Sequence, residues 1–214
     1  ISELNPEIYI AGIGDSSAVR LTTQSGTDHQ PSLSPDGATV VFTSTRTGTP
    51  RIWTMSANGS SQAALNTGTT GDIPESEPRF SPTGDRILFS SPRTNTTQLW
   101  VMPAAGGTAT QVTHEINGAF FGSWSADGNS VFYVDGLDRT RIHTVNVATG
   151  DVTDYVTGGT DVGDVACTAA LCLVVTNATG VNRDILAYVG ANDSTPLSPL
   201  TGPASESQPA ILHQ

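Results

Sequence analysis

Five short segments carry most of the side chains in this 214-residue chain that could bind or catalyse. They are Asp28-His29-Gln30, Glu75-Ser76-Glu77, Ala119-Phe120-Phe121, Asp161 through Asp164, and Glu206-Ser207-Gln208. Four of the five are polar, and each of those four holds a carboxylate. If the segments converge, their carboxylates can hold Ca²⁺, a hard cation that takes oxygen ligands. They can also accept a basic side chain from a partner, or line a water-filled polar channel. A glycosidase needs two carboxylates held apart, and Asp28, Glu75, Glu77 and Asp164 are the candidates for that role. Phe120 and Phe121 would add the apolar wall that ligand pockets commonly have.

Other catalytic signatures are missing. No G-x-S-x-G nucleophile elbow occurs in the chain, so a serine hydrolase has no anchor. "GIGDSS" (Gly12–Ser17) half-imitates a dinucleotide loop but lacks its third glycine, and reads as a turn between strands. His29, His114 and His213 are each alone in sequence, as solvated strand ends and loops allow. No catalytic residue is assigned, and no cofactor is required beyond the candidate Ca²⁺.

What would bring the five segments together is a repeat. "LSPDGATVVFTSTRTGTPRIWTMSANG" (Leu33–Gly59) returns as "FSPTGDRILFSSPRTNTTQLWVMPAAGG" (Phe80–Gly107), then as "WSADGNSVFYVDGLDRTRIHTVNVATG" (Trp124–Gly150). Aligned on the residue before the turn, the copies fall at Leu33, Phe80, Trp124, Ala166 and Ile211. The steps are 47, 44, 42 and 45 residues. A period near 40–45 with four strands per unit is that of propeller blades. "SPDG", "SPTG" and "SADG" supply glycine for a tight hairpin. "VVFTS", "ILFSS" and "VFYVD" are β-branched and aromatic runs for a sheet packed on both faces. "RIWTM", "QLWVM", "RIHTV" and "EIYIA" are third strands. Tyr9, Trp53, Trp100 and His143 share one place in the repeat, and recurrence at one place argues packing between blades rather than sugar stacking. Trp124, standing where Leu33 and Phe80 stand, reads as core.

The fourth copy is degenerate but keeps register. "ACTAALCLVV" (Ala166–Val175) overlays "FSPTGDRILF", setting Cys167 on Ser81 and Cys172 on Arg86. The two cysteines then flank a hairpin, where a cross-strand disulfide is geometrically reasonable; two free buried thiols are the other reading. The disulfide would imply an oxidising compartment.

Bulk properties exclude some partners. The net charge is −11 and all nine basic residues are arginine, so the basic face that nucleic acid needs is missing. No apolar run approaches the length of a membrane span. The chain begins at Ile1 rather than Met, the expectation being that it was processed or cut from something longer.

"SPDG…VVFTS…RIWTM" followed by "ANG", with "NPEIYI" and "AVRLT" as a back half, resembles the PD40 repeat of TolB-like β-propellers. The resemblance covers nearly the whole chain and is weakest over residues 160–204. It implies a propeller outside the cytoplasm that binds partners in the cell envelope. Relatives with this repeat include propellers of prolyl oligopeptidases and of pectin-degrading lyases. By this count the 214 residues depart from all three: they are expected to hold neither TolB's additional α/β domain and sixth blade, nor the peptidases' hydrolase domain, nor the lyases' larger blade number.

The expected fold is therefore all-β: a single five-bladed propeller over residues 1–214. Its blades span roughly 28–74, 75–118, 119–160 and 161–204, with a closing blade shared between 1–27 and 205–214. The expected function is a non-catalytic scaffold, periplasmic or secreted, for a protein or peptide partner, with no membrane span. The alternatives are a carbohydrate-binding or carbohydrate-active propeller with acids in its axial funnel, and a fragment of a larger propeller, motivated by the missing second strand of the shared blade.

Overall fold

The computed structural model describes residues 5–139 and 141–157. Beyond them it describes four strands, at 162–167, 171–176, 184–189 and 199–200, read here as backbone. Every element among the described residues is a β-strand. Strands β1 (Tyr9–Ile10) and β2 (Val19–Arg20) form a two-stranded N-terminal sheet. The first four-stranded sheet is β3 (Asp28–Leu33), β4 (Thr39–Ser44), β5 (Arg51–Ser56) and β6 (Ala63–Ala64). The second is β7 (Ser76–Phe80), β8 (Arg86–Ser91), β9 (Gln98–Pro103) and β10 (Thr110–Gln111). The third is β11 (Ala119–Trp124), β12 (Ser130–Asp135), β13 (Arg141–Asn146) and β14 (Val152–Thr157). The fourth is β15 (Val162–Cys167), β16 (Leu171–Thr176), β17 (Asp184–Val189) and β18 (Pro199–Leu200).

Each four-stranded sheet is a meander in chain order. The chain clusters into two compact units, Ile1–Asn95 with Trp100–Thr110, and Thr96–Leu99 with Gln111–Gln214. In the first unit β3 lies against β7, and in the second β11 lies against β15, so first strands of successive sheets are neighbours.

The expected repeat is present strand for strand. Leu33 pairs with Val40, Phe80 with Ile87, Trp124 with Val131 and Ala166 with Leu173, a spacing of seven residues each time. The fourth, degenerate copy therefore keeps its register, and Cys167 pairs directly with Cys172. Gly37, Gly84 and Gly128 take φ of 71°, 75° and 69° in their hairpins, a conformation that other residues adopt only at a cost. A serine closes each of the three turns: the Thr39, Arg86 and Ser130 amides donate to the Oγ of Ser34, Ser81 and Ser125. Those hydroxyls in turn donate to Asp36, Asp85 and Asp127. Hydroxyl donors hold all three carboxyls below the usual aspartate range.

Why the second strands are apolar on both faces follows from packing. Val40 and Phe42 of β4 bury against Ile8 and Leu21 of the N-terminal segment. Val41, between them, points the other way and buries with Ile87, Phe89 and Met102 of the second sheet. Alternation along one strand thus serves two interfaces, and each such side chain stabilises by about 1.5–3 kcal/mol. Neighbouring sheets are also joined by main chain. The Asp28 amide donates to the Pro6 carbonyl at 2.9 Å, Glu75 to Pro50 at 3.0 Å, and Ala119 to Thr97 at 2.8 Å.

Two expectations need correction. Trp124 is core, as expected, but Leu33 at the equivalent place is 50% exposed. Trp100 is buried, whereas Tyr9 at its equivalent place is 55% exposed. Tyr9 belongs to the two-stranded sheet, which has no counterpart of β4 among the described residues. Residues 205–214, expected to share that sheet, lie outside the described residues. Among the described residues no helix is long and apolar enough to cross a membrane.

Candidate functional site

Asp28 and Glu75 do not line an open funnel; this corrects the sequence reading. Each is 1% exposed. Asp28 Oδ2 accepts from Arg46 Nη2 at 2.6 Å, and Glu75 Oε1 from Arg93 Nη2 at 2.6 Å. Each arginine is sandwiched by its own sheet. The Arg46 guanidinium lies 5.4 Å from the Phe42 ring centroid and 4.6 Å from that of Trp53. Arg93 lies 5.1 Å from Phe89 and 4.6 Å from Trp100. A serine two residues before each arginine, Ser44 or Ser91, accepts from its Nε. Glu75 also accepts from Thr67 and Thr69 hydroxyls. Glu75, with an arginine and two hydroxyl donors, is committed to its own sheet, while Asp28 holds Arg46 through Oδ2 and leaves its buried Oδ1 without a hydrogen-bond partner.

The third sheet dispenses with the whole arrangement. Ala119, Leu137 and His143 stand where Glu75, Arg93 and Trp100 stand, and Leu137 is 78% exposed. Tyr133 stacks on His143 at 5.4 Å and donates its hydroxyl to Glu115 at 2.5 Å instead. Loss of acid, base and aromatic together is what a mutually dependent set produces, because a buried charge left alone is costly.

The residues two places further on form a different feature. Gln30, Glu77 and Phe121 take φ of 53°, 57° and 58°, each in a β-bulge where its sheet's first strand shifts register. A left-handed residue that is not glycine costs about 1–2 kcal/mol, and bulges re-aim side chains at strand ends and beside sites. Gln30 Oε1 accepts from Thr43 Oγ1 at 3.0 Å and from the Glu77 amide at 3.1 Å, tying the first sheet to the second. Glu77 Oε2 accepts from Ser90 Oγ at 3.1 Å. The first unit thus offers a half-buried carboxamide and carboxylate on adjacent inner strands. His29 lies beside them, its Nδ1 buried without a hydrogen-bond partner in the structure. Burial pushes the His29 imidazole below its ordinary pKa, while the Asp28 and Glu77 charges pull the other way.

In the second unit, Phe120 and Phe121 lie with ring centroids 6.3 Å apart, and the Arg139 guanidinium stands 5.5 Å from Phe121. The two rings are thus neighbours, with a guanidinium beside the second. Asp164 is on β15, opposite Val175, but its side chain lies outside the described residues, as do Asp161, Glu206, Gln208 and the thiols of Cys167 and Cys172. For Ca²⁺ the described residues do not fit: no three His, Cys, Asp or Glu side chains among them converge.

The sequence reading missed Arg46 and Arg93. A signal was present: Ser-x-Arg recurs at Ser44–Arg46 and Ser91–Arg93, 47 residues apart, in step with the acids at 28 and 75 and the tryptophans at 53 and 100.

Residues 2–76 match the family model for the TolB beta propeller domain, PD40. Over that stretch the chain carries TolB-like PD40 repeats. The "Tol-Pal system protein TolB" of Bordetella pertussis is 41% identical over 54 residues, which is 25% of this chain and 12% of that protein. Two solved TolB-type structures share the fold. That from Agrobacterium tumefaciens has a TM-score of 0.70 at 19% identity, covering 81% of this chain and 62% of its own. That from Acinetobacter baumannii has 0.71 at 19% identity, covering 90% and 50%. The chain therefore spans a small part of the curated PD40 relative and between half and two thirds of the two structures. On this footing the four-stranded sheets have the fold of propeller blades.

Proposed function

We propose that this PD40 protein is a non-catalytic propeller scaffold that binds a protein or peptide partner at the leading ends of its innermost strands. The observation that carries the reading is the paired strain at Gln30 and Glu77. Non-glycine residues held left-handed at equivalent positions are retained where their aim matters. The aim here is toward the ends of adjacent inner strands, with Glu77 presenting a carboxylate that suits a basic side chain from the partner. A net charge of −11 would steer such a partner in.

The relative named for the Tol-Pal system supports a protein partner and a periplasmic setting. We further read the complete ring as five blades closed by a blade shared between the termini, and Cys167–Cys172 as a disulfide across the fourth hairpin. A glycosidase reading loses support with Asp28 and Glu75, both committed to arginines. Selection of displayed peptides on the immobilised protein tests the proposal. Enriched peptides should carry a lysine or arginine and lose binding to the Glu77→Gln and Gln30→Ala variants. Selection that is indifferent to both variants refutes the site, and turnover of plant oligosaccharides refutes the non-catalytic reading.

A further inference from the structure

The leading ends of β3 and β7 set an imidazole close to the carboxylate that the site offers a guest. The arginines of these two sheets are engaged elsewhere, Arg46 with Asp28 and Arg93 with Glu75. Glu77 has the Ser90 hydroxyl as a donor and, among the described residues, no cation. Gln30 does not neutralise it either. The Glu77 amide can only donate, so the Gln30 carboxamide turns its oxygen to that amide and to the Thr43 hydroxyl. The Glu77 charge is left for two takers: a basic side chain from outside, and a proton on His29.

His29 precedes Gln30 on β3 and is half-buried, with its Nδ1 out of reach of water and without a hydrogen-bond partner. A protonated imidazole donates from both nitrogens, so a proton there places a donor where, among the described residues, no acceptor meets it. The charged groups around the ring are few. Its own strand supplies Asp28, whose other oxygen holds Arg46. Strand β4, which pairs His29 with Thr43, carries no ionisable side chain. Strand β7 supplies Glu77 and, two residues on, Arg79. The N-terminal segment, bonded to Asp28 through Pro6, carries Glu7, which is paired with Arg20. Burial disfavours the charged ring, and Asp28 and Glu77 favour it.

On the reading that Glu77 seats a basic side chain, we propose that His29 and the guest compete for that carboxylate, so that the inner-strand site takes its partner near neutrality and releases it in acid. The competition is reciprocal. A bound guest lowers the proton affinity of His29 by the factor by which the proton lowers the affinity of the guest. For two unit charges several Å apart near a protein surface, that factor is roughly three- to tenfold.

The probe is the acetylated, amidated peptide Gly-Ser-Arg-Ser-Gly, whose guanidinium is its one charge, with the citrulline peptide as a neutral copy. NMR detects binding even at millimolar affinity. The His29 ring protons, assigned by their loss in His29→Gln, are followed between about pH 8 and 5.5, with each peptide and with none. The arginine peptide should lower the His29 midpoint by a shift worth roughly three- to tenfold, and the citrulline peptide should leave it alone. The affinity of the arginine peptide should fall by the same factor as the ring charges, whereas His29→Gln should bind it equally at both ends of the range. An arginine peptide that needs Glu77, being lost in Glu77→Gln, yet leaves the His29 midpoint unmoved overturns the competition while the site stands. A peptide that binds at neither end, or binds Glu77→Gln as well as wild type, removes the site and the competition with it.

Discussion

Arg46 and Arg93 stand 47 residues apart and occupy one place in successive blades. Each ties the first residues of its blade to the aromatic of the third strand, through a carboxylate on one side and a ring face on the other. Their burial makes each arginine part of the blade's framework rather than of a binding surface.

Replacing Arg93 by leucine should leave Glu75 buried with only the Thr67 and Thr69 hydroxyls and the more distant Arg51, at a cost of up to about 3–5 kcal/mol. Glu75→Ala in the Arg93→Leu background should recover part of that loss, since the third blade already carries alanine and leucine at these places. Urea midpoints of the two single variants and the double give the coupling. Strict additivity would show that the two side chains do not depend on one another.

Glu77→Gly relieves left-handed strain while removing the Ser90 contact and the carboxylate charge that acts on His29. The strain relief of about 1 kcal/mol is offset by glycine's greater freedom when unfolded. Stability should therefore stay within about 1 kcal/mol of wild type, while binding of selected basic peptides is lost. A large loss of stability in a thermal melt would instead assign Glu77 to the framework.

His29 should make stability depend on pH. Burial is the largest influence on it and lowers its folded pKa below the ordinary value, against the opposing pull of Asp28 and Glu77. The unfolded chain then binds more protons than the folded one, so stability rises with pH. The contribution is fully present above the unfolded value of about 6.5 and is lost as pH falls through that value toward the folded one. His29→Gln should flatten the melt midpoint between about pH 7 and 5. An unchanged slope in that variant would locate the titration elsewhere.

The cysteines give a chemical test. Alkylation of the denatured, unreduced protein should leave Cys167 and Cys172 unmodified, and reduction should expose both. Full alkylation without reductant would establish free thiols. The loop they would close is short, so the bond should stabilise modestly.

The repeat was legible because it rests on periodicity and turn chemistry, which are local. That is why the four hairpin registers, even the degenerate one at Ala166–Leu173, follow from alignment alone. The bulges were not legible: Gln30 and Glu77 are ordinary polar residues in sequence, and only their backbone reveals the strain. Asp28 and Glu75 misled for a related reason. A carboxylate near a strand end looks solvent-facing until its arginine, 18 residues away in both cases, is placed on it. The exposure of Tyr9 and Leu33 was illegible too, since periodicity predicts what a position does in a complete blade, not which neighbour is present beside it.

The main-chain bonds from Asp28 to Pro6, Glu75 to Pro50 and Ala119 to Thr97 have an evolutionary meaning. They persist whether the donor residue is an acid or an alanine, because no side chain takes part. A duplicated repeat therefore arrives with its own fastener to the blade before it. Its acids, arginines and aromatics are then at liberty to differ, as those of the third blade do, without the copy coming loose.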